Sequence, residues 1–225
     1  MRNDSKMLWA AVDEYFQGRL APSDKYLDAA VRANRKAGLP AIDVSPLQGQ
    51  HLNLLVRMTQ PKRVLEIGTL GGYSTICMAR ALPVGGRIVT LEFSPRHAEV
   101  ARKNLKNAGV LERVDLRVGR AIESLGILEN EGAEPFDFIF IDADKESNAE
   151  YLKWALRLSR VGTTIVVDNV VREGKVIEAK SKDPDIVGTR RMTELIAKEP
   201  RLSATVMQNV GAKGYDGFLL AVVVS

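Results

Sequence analysis

Short apolar runs recur along the middle of the chain, separated by segments of helical spacing. Arg63 to Ile67, Arg87 to Glu92, Val114 to Val118, Asp137 to Asp142 and Thr163 to Asp168 read as five strands. Runs of this length, bounded by turn residues, predict strands buried on both faces, as in a parallel sheet. Between them lie helical stretches at Tyr73 to Leu82, Ala121 to Leu128 and Ser147 to Ser159. Pro83 and Gly85-Gly86 stop the first of these. Ser94-Pro95 opens a further helix, with serine as cap and proline in the first turn, that ends at Asn107-Ala108-Gly109. Strand and helix alternating over short connections predict an α/β fold with a doubly wound parallel sheet and right-handed crossovers.

After Asp168 the rhythm changes. Leu202 to Gln208 and Gly217 to Val224 are two apolar stretches with no helix between them. Their connector, Asn209 to Asp216, is glycine-rich, which predicts an antiparallel hairpin closing the five parallel strands. Residues 172–190 are charged and irregular and are predicted to form a mobile flap. Residues 1–60 hold helical patterns at Met7 to Phe16 and Leu47 to Met58. They are predicted to form an N-terminal helical cap or a subunit contact within one domain spanning 1–225.

Composition narrows the class. A 45% hydrophobic and 27% charged chain is an ordinary globular protein. A net charge of +4 is too small to argue for nucleic acid. The single cysteine, Cys77, excludes an internal disulfide and any multi-cysteine metal site. Asp4, Lys6, Asp13 and Glu14 interrupt Met1 to Phe16, so no secretory signal is expected. No apolar run reaches the ~18 residues of a membrane helix. The expectation is a cytoplasmic protein without a membrane or nucleic-acid partner.

The chemistry sits at strand ends. Phe138-Ile139-Phe140-Ile141 runs into Asp142, and Thr164-Ile165-Val166-Val167 runs into Asp168-Asn169. These are hard oxygen ligands, suited to magnesium or calcium rather than zinc. Two neighbouring carboxylates repel unless a cation lies between them. Lys145, three residues past Asp142, is close enough to share that site. The competing reading is that each aspartate caps the helix that follows. Earlier in the chain, Glu66-Ile67-Gly68-Thr69-Leu70-Gly71-Gly72-Tyr73-Ser74 is a glycine turn after the first strand, but not the dinucleotide fingerprint. A carboxylate before the first glycine can hold a cationic amine. Glu92, ending the second strand, can accept bonds from both hydroxyls of a ribose. His51 and His97 read as surface or packing residues.

Taken together, Val64 to Ser74, Phe140 to Lys145 and Asp168-Asn169 resemble the cation-dependent O-methyltransferases, the group of catechol and caffeoyl-coenzyme A methyltransferases and their small bacterial relatives. The likeness covers roughly residues 40–225, including Lys213-Gly214-Tyr215-Asp216-Gly217. It implies a Rossmann-like class I methyltransferase sheet and S-adenosylmethionine as cofactor. By resemblance, Glu66, Gly68, Thr69 and Ser74 surround the methionine end of the cofactor. Glu92 would hold its ribose, and Ala121 would lie near its adenine. Val44 and Asp144 match further cofactor positions. Asp142, Asp168 and Asn169 match ligands of Mg2+ or another divalent cation such as Ca2+ or Mn2+, and Lys145 the general base. The substrate implied is a small phenolic, catechol-like diol, and the assembly a homodimer. Two departures stand out: Gly119-Arg120-Ala121 lacks an acidic residue beside the adenine, and Val170 to Gly174 lacks the tryptophan of the plant enzymes. A metal-independent methyltransferase, a nicotinamide-dependent dehydrogenase and a non-catalytic S-adenosylmethionine-binding protein remain as alternatives.

Overall fold

The computed structural model describes residues 2–21 and 24–225. Three helices come first: α1 (Arg2–Leu20), α2 (Lys25–Lys36) and α3 (Pro46–Thr59). Then strands and helices alternate as β1 (Arg63–Ile67), α4 (Tyr73–Ala79), β2 (Arg87–Glu92), α5 (Pro95–Asn107), β3 (Val114–Val118), α6 (Ala121–Asn130), β4 (Phe136–Ile141), α7 (Asn148–Arg157) and β5 (Ser159–Asp168). The chain ends with α8 (Pro184–Lys198), β6 (Leu202–Gly211) and β7 (Gly214–Val223).

The seven strands form one sheet in the order β3-β2-β1-β4-β5-β7-β6. β1 to β5 pair in parallel, while β7 runs antiparallel to both β5 and β6. Strand alternation divides the core into two layers. Leu65, Ile67, Leu91, Ile139, Ile141, Ile165 and Val167 face α6, α7 and Met192 of α8. Val64, Ile88, Phe138, Phe140 and Val166 face α3, α4 and Leu105 of α5. Both faces are covered, which is why the strands read as near-continuous apolar runs. Among the described residues, no helix is long and apolar enough to cross a membrane.

Several elements differ from the sequence expectation. The predicted N-terminal cap, 1–60, holds a third helix besides those at Met7 to Phe16 and Leu47 to Met58, and it includes Met1, Pro22 and Ser23, which lie outside the described residues. The unpredicted α2 starts at Asp24, whose carboxylate accepts from the N–H groups of Tyr26 and Leu27 at 2.9 and 3.1 Å. The predicted flap over 172–190 is in part helical. Asp183 caps α8 with Pro184 in its first turn, and Ile186, Thr189 and Met192 bury one side of the helix. The hairpin connector is shorter than expected, because the ladder continues through Asn209–Asp216 and Val210–Tyr215 up to Gly211–Gly214.

Candidate active site

In the sheet order, β1 and β4 are the neighbours from which successive connections depart in opposite directions. Such a switch point opens a crevice beyond the strands' carboxyl ends. Gly68, at the end of β1, has φ +102, and a Cβ there would lie 2.1 Å from the carbonyl oxygen of Asp142. Only glycine lets the two strand ends approach so closely. A cavity of about 1190 Å³ opens at this point. Its volume accommodates a nucleoside-sized cofactor together with a small second substrate.

At the β2 end, the cavity is walled by Leu91, Glu92, Phe93, His97, Ala121 and Ile122. Glu92 is held firmly. Its Oε2 accepts the N–H groups of Thr69 and Leu70 at 3.3 and 2.7 Å. Its Oε1 accepts that of Ser94 at 2.9 Å and lies 3.2 Å from Nδ1 of His97. His97 was expected to serve only the surface or packing. It reaches the cavity because it sits in the first turn of α5, directly after β2. Phe93 presents an apolar ring to the cavity while 71% exposed. A carboxylate beside exposed apolar surface suits a ribose carrying a flat base.

Glu66 lies behind this wall and is fully buried. Parallel pairing sets Thr90 beside it. Hydroxyl groups donate to its carboxylate from Ser74 at 2.6 Å, Thr75 at 2.5 Å and Thr90 at 2.6 Å. Burial pushes its pKa up from 4.5 to about 7, against the pull of those hydroxyls. The folded chain therefore binds this proton more tightly than the unfolded chain does. The associated stability is complete below about pH 4.5 and is lost as pH rises through about 7. That loss is on the order of 3 kcal/mol. Glu66→Gln is expected to flatten the fall in melting temperature between pH 5 and 8. Identical pH slopes for variant and wild type would overturn this account.

At the other end lie Asp142, Lys145, Glu146, Asn169, Arg172 and Arg191. Nζ of Lys145 donates to Oδ1 of Asp142 at 2.8 Å, and the lysine is only 5% exposed. The turn that carries it is pressed by α8, where a Cβ on Gly188 would lie 2.2 Å from the Lys145 carbonyl oxygen. Asp168 is buried just behind the wall, and its Oδ1 accepts the N–H of Asn169 at 2.8 Å. Burial first, then the charge of Asp142, pushes the Asp168 carboxyl up from 3.8 to about 6. Asn169 adopts φ +57, a strained conformation for a non-glycine residue, and lines the cavity. Among the described residues, no group of three or more His, Cys, Asp or Glu could hold a metal. The donor set here is instead two mutually repelling carboxylates and an amide oxygen. These are hard donors, and their repulsion is what a divalent cation relieves.

The structure thus brings Val44, Gly68, Thr69, Ser74, Glu92, Ala121, Asp142, Asp144, Lys145 and Asn169 to one cavity, with Glu66 and Asp168 immediately behind it. Asp144 accepts from the Tyr151 hydroxyl at 2.5 Å and caps the Lys145 turn through the N–H of Ser147 at 3.2 Å. Arg172, in the segment expected to flap near the site, is also on this wall, and the sequence reading missed Asp43, Phe93, Tyr151 and Arg191 there. Asp43 is tied down by the Asn34 side chain at 2.8 Å and by Nζ of Lys213, from the β6–β7 turn, on its carbonyl oxygen.

The O-methyltransferase family model matches residues 19–222. The chain belongs to this family. It is 50% identical to a catechol O-methyltransferase of Niastella koreensis, over 97% of this chain and 99% of that one. It is 51% identical to a catechol O-methyltransferase of Mycobacterium tuberculosis, over 94% of each chain. The solved O-methyltransferase of Bacillus cereus in complex with S-adenosylhomocysteine superposes with a TM-score of 0.96 at 56% identity, covering 97% of this chain and 99% of that one. The enzyme is accordingly an S-adenosylmethionine-dependent O-methyltransferase, with the class I sheet that the resemblance implied. The dehydrogenase alternative falls with this assignment.

Proposed function

We propose that this enzyme methylates one hydroxyl of a vicinal diol on a phenolic, catechol-like small molecule. It would do so with Mg2+, or another divalent cation such as Mn2+ or Ca2+, held by Asp142, Asp168 and Asn169. One observation carries the reading: two carboxylates that repel each other, an amide oxygen and the Lys145 amine converge at the end of the cavity opposite Glu92. The names of the two catechol O-methyltransferase relatives support the substrate class.

Each residue then has a physical task. Glu92 accepts both ribose hydroxyls, and Phe93, Ala121 and Ile122 cover the adenine. Gly68 and Thr69 let the backbone approach the methionine end, bordered by Val44, Ser74 and Asp144, with Glu66 fixing the Ser74 hydroxyl from behind. The cofactor supplies an electrophilic methyl group, and the cation supplies positive charge that makes a bound hydroxyl more acidic. Lys145 accepts that hydroxyl's proton at Nζ. A phenolate meeting a sulfonium neutralises charge, so alignment contributes more than new charge stabilisation. We further propose a cytoplasmic homodimer. Met7, Leu8, Val12 and Phe16 on α1 and Val206 and Met207 on β6 are exposed apolar side chains that a second copy would cover.

Transfer of labelled methyl to a panel of catechols, with magnesium or with chelator, tests the reading. Transfer is expected with magnesium, with a fall of at least ~100-fold in chelator that magnesium reverses. No transfer to any vicinal diol would sink the substrate class. Transfer indifferent to chelator would leave the metal-independent methyltransferase as the correct reading.

A further inference from the structure

Beyond Asn169, the cavity wall carries a guanidinium whose bonding is incomplete. Arg172 lines the cavity, and its Nη2 donates to Oδ2 of Asp185 at 2.7 Å. Its Nε is buried with no hydrogen-bond partner. A buried donor is seldom left unpaired, and each instance asks for a cause. The backbone at this point is strained as well, because Arg172 and Glu173 hold φ +55 and +56. Oδ1 of Asp216 pins the segment by accepting the N–H groups of Val171 and Arg172, both at 3.0 Å. A second arginine, Arg191 of α8, reaches the same cavity, and its side chain makes no hydrogen bond or ion pair among the described residues.

We propose that Arg172, assisted by Arg191, forms a subsite for a carboxylate carried by the diol substrate. The planar fork of a guanidinium matches a carboxylate, and Asp185 fixes its orientation through Nη2 while leaving the rest of the fork uncommitted. The subsite lies on the β5 side of the metal ligands. Glu92 and the adenine wall lie across the sheet on the β2 side. The anion therefore belongs to the methyl acceptor and not to the cofactor. This inference rests on the diol reading above, and it narrows the acceptor to acidic catechols.

Calorimetric titration of 3,4-dihydroxybenzoate and its neutral amide into the protein, saturated with S-adenosylhomocysteine and magnesium, tests the subsite without requiring turnover. The carboxylate is expected to bind at least ~10-fold tighter than the amide. Arg172→Gln should bring that ratio close to one, and Arg191→Gln, on an exposed part of α8, should lower it by a smaller factor. Equal binding of the two compounds by the wild type overturns the proposal, as does a preference that survives in both variants. Weaker S-adenosylhomocysteine binding by Arg172→Gln, with the ratio unchanged, would assign the guanidinium to the cofactor and overturn it too. Turnover measured in parallel reports separately on diol methylation. Carboxylate-selective binding with no methylation of either compound would keep the subsite and reject the reaction.

Discussion

Asp168→Asn is expected to abolish methyl transfer while making the metal-free protein more stable. The buried Asp168 carboxyl is raised to about 6 by burial and by the charge of Asp142, with Asp216 adding to the repulsion. The folded chain holds this proton more tightly than the unfolded chain does. Stability from it is therefore complete below about pH 3.8 and is lost as pH rises through about 6. Above that window the ionised carboxylate costs on the order of 2–3 kcal/mol in the absence of a cation. An asparagine of the same shape removes the charge, so the variant should melt several degrees higher at pH 8 in chelator, with little difference at pH 4. Magnesium should raise the melting temperature of the wild type, because a ligand of the native state alone stabilises it, and should do so far less for the variant. Activity should fall at least ~100-fold, the scale of losing a metal's charge from the site. A variant that turns over at the wild-type rate would remove Asp168 from the site. A variant no more stable at pH 8 in chelator would show that the two carboxylates do not oppose each other.

The same repulsion explains why this part of the site was legible in the sequence. Two apolar strands ending in aspartate are conspicuous, and parallel neighbours β4 and β5 bring those ends together in register. The five parallel strands were legible for a related reason. β1, β2, β4 and the second half of β5 are mostly buried, so apolar residues dominate them, whereas the edge strand β3 is only partly buried and carries Asp115 and Arg117. Helix α8 was not legible. Its buried side is built from Ile186, Gly188, Thr189 and Met192, only two of them large apolar residues, and Asp185, Arg190, Arg191, Glu194 and Lys198 interrupt the remainder. Asp183-Pro184 was the available signal, a cap followed by a first-turn proline of the kind recognised at Ser94-Pro95. The length of the β6–β7 hairpin was hidden because its tip holds glycines and charges within a regular ladder. Glu66 shows a deeper limit. Its position near the end of β1, just before the first glycine, suggested a partner for a cationic amine, yet its bonds go to Ser74, Thr75 and Thr90. Two of those hydroxyls belong to α4 and one to β2, and no local pattern connects them to β1. His97 and Arg191 were likewise missed because each reaches the cavity only through the fold.

Lys145→Met and Lys145→Arg together should separate proton transfer from charge. Lys145 is buried and its Nζ is 2.8 Å from Asp142. The packing of α8 through Gly188 allows the turn carrying it little freedom to retreat. Methionine keeps the unbranched stem and removes the amine. The expected loss in kcat is ~100- to 10,000-fold, the range for a positioned acid or base. Arginine keeps the positive charge beside Asp142 but does not give up its proton in a protein. If Lys145 serves as the base, arginine should fail almost as badly as methionine while S-adenosylmethionine binding stays close to wild type. If its part is only to neutralise Asp142, arginine should retain most of the activity. That result would move the proton to solvent and reduce Lys145 to a counter-ion. The Met variant also has a readout apart from turnover. Without the amine, the Asp142 and Asp168 carboxylates face each other with no cation between them. Magnesium should then raise the melting temperature of Lys145→Met by more than it raises that of the wild type. An equal or smaller rise would mean that the lysine does not hold that repulsion in check.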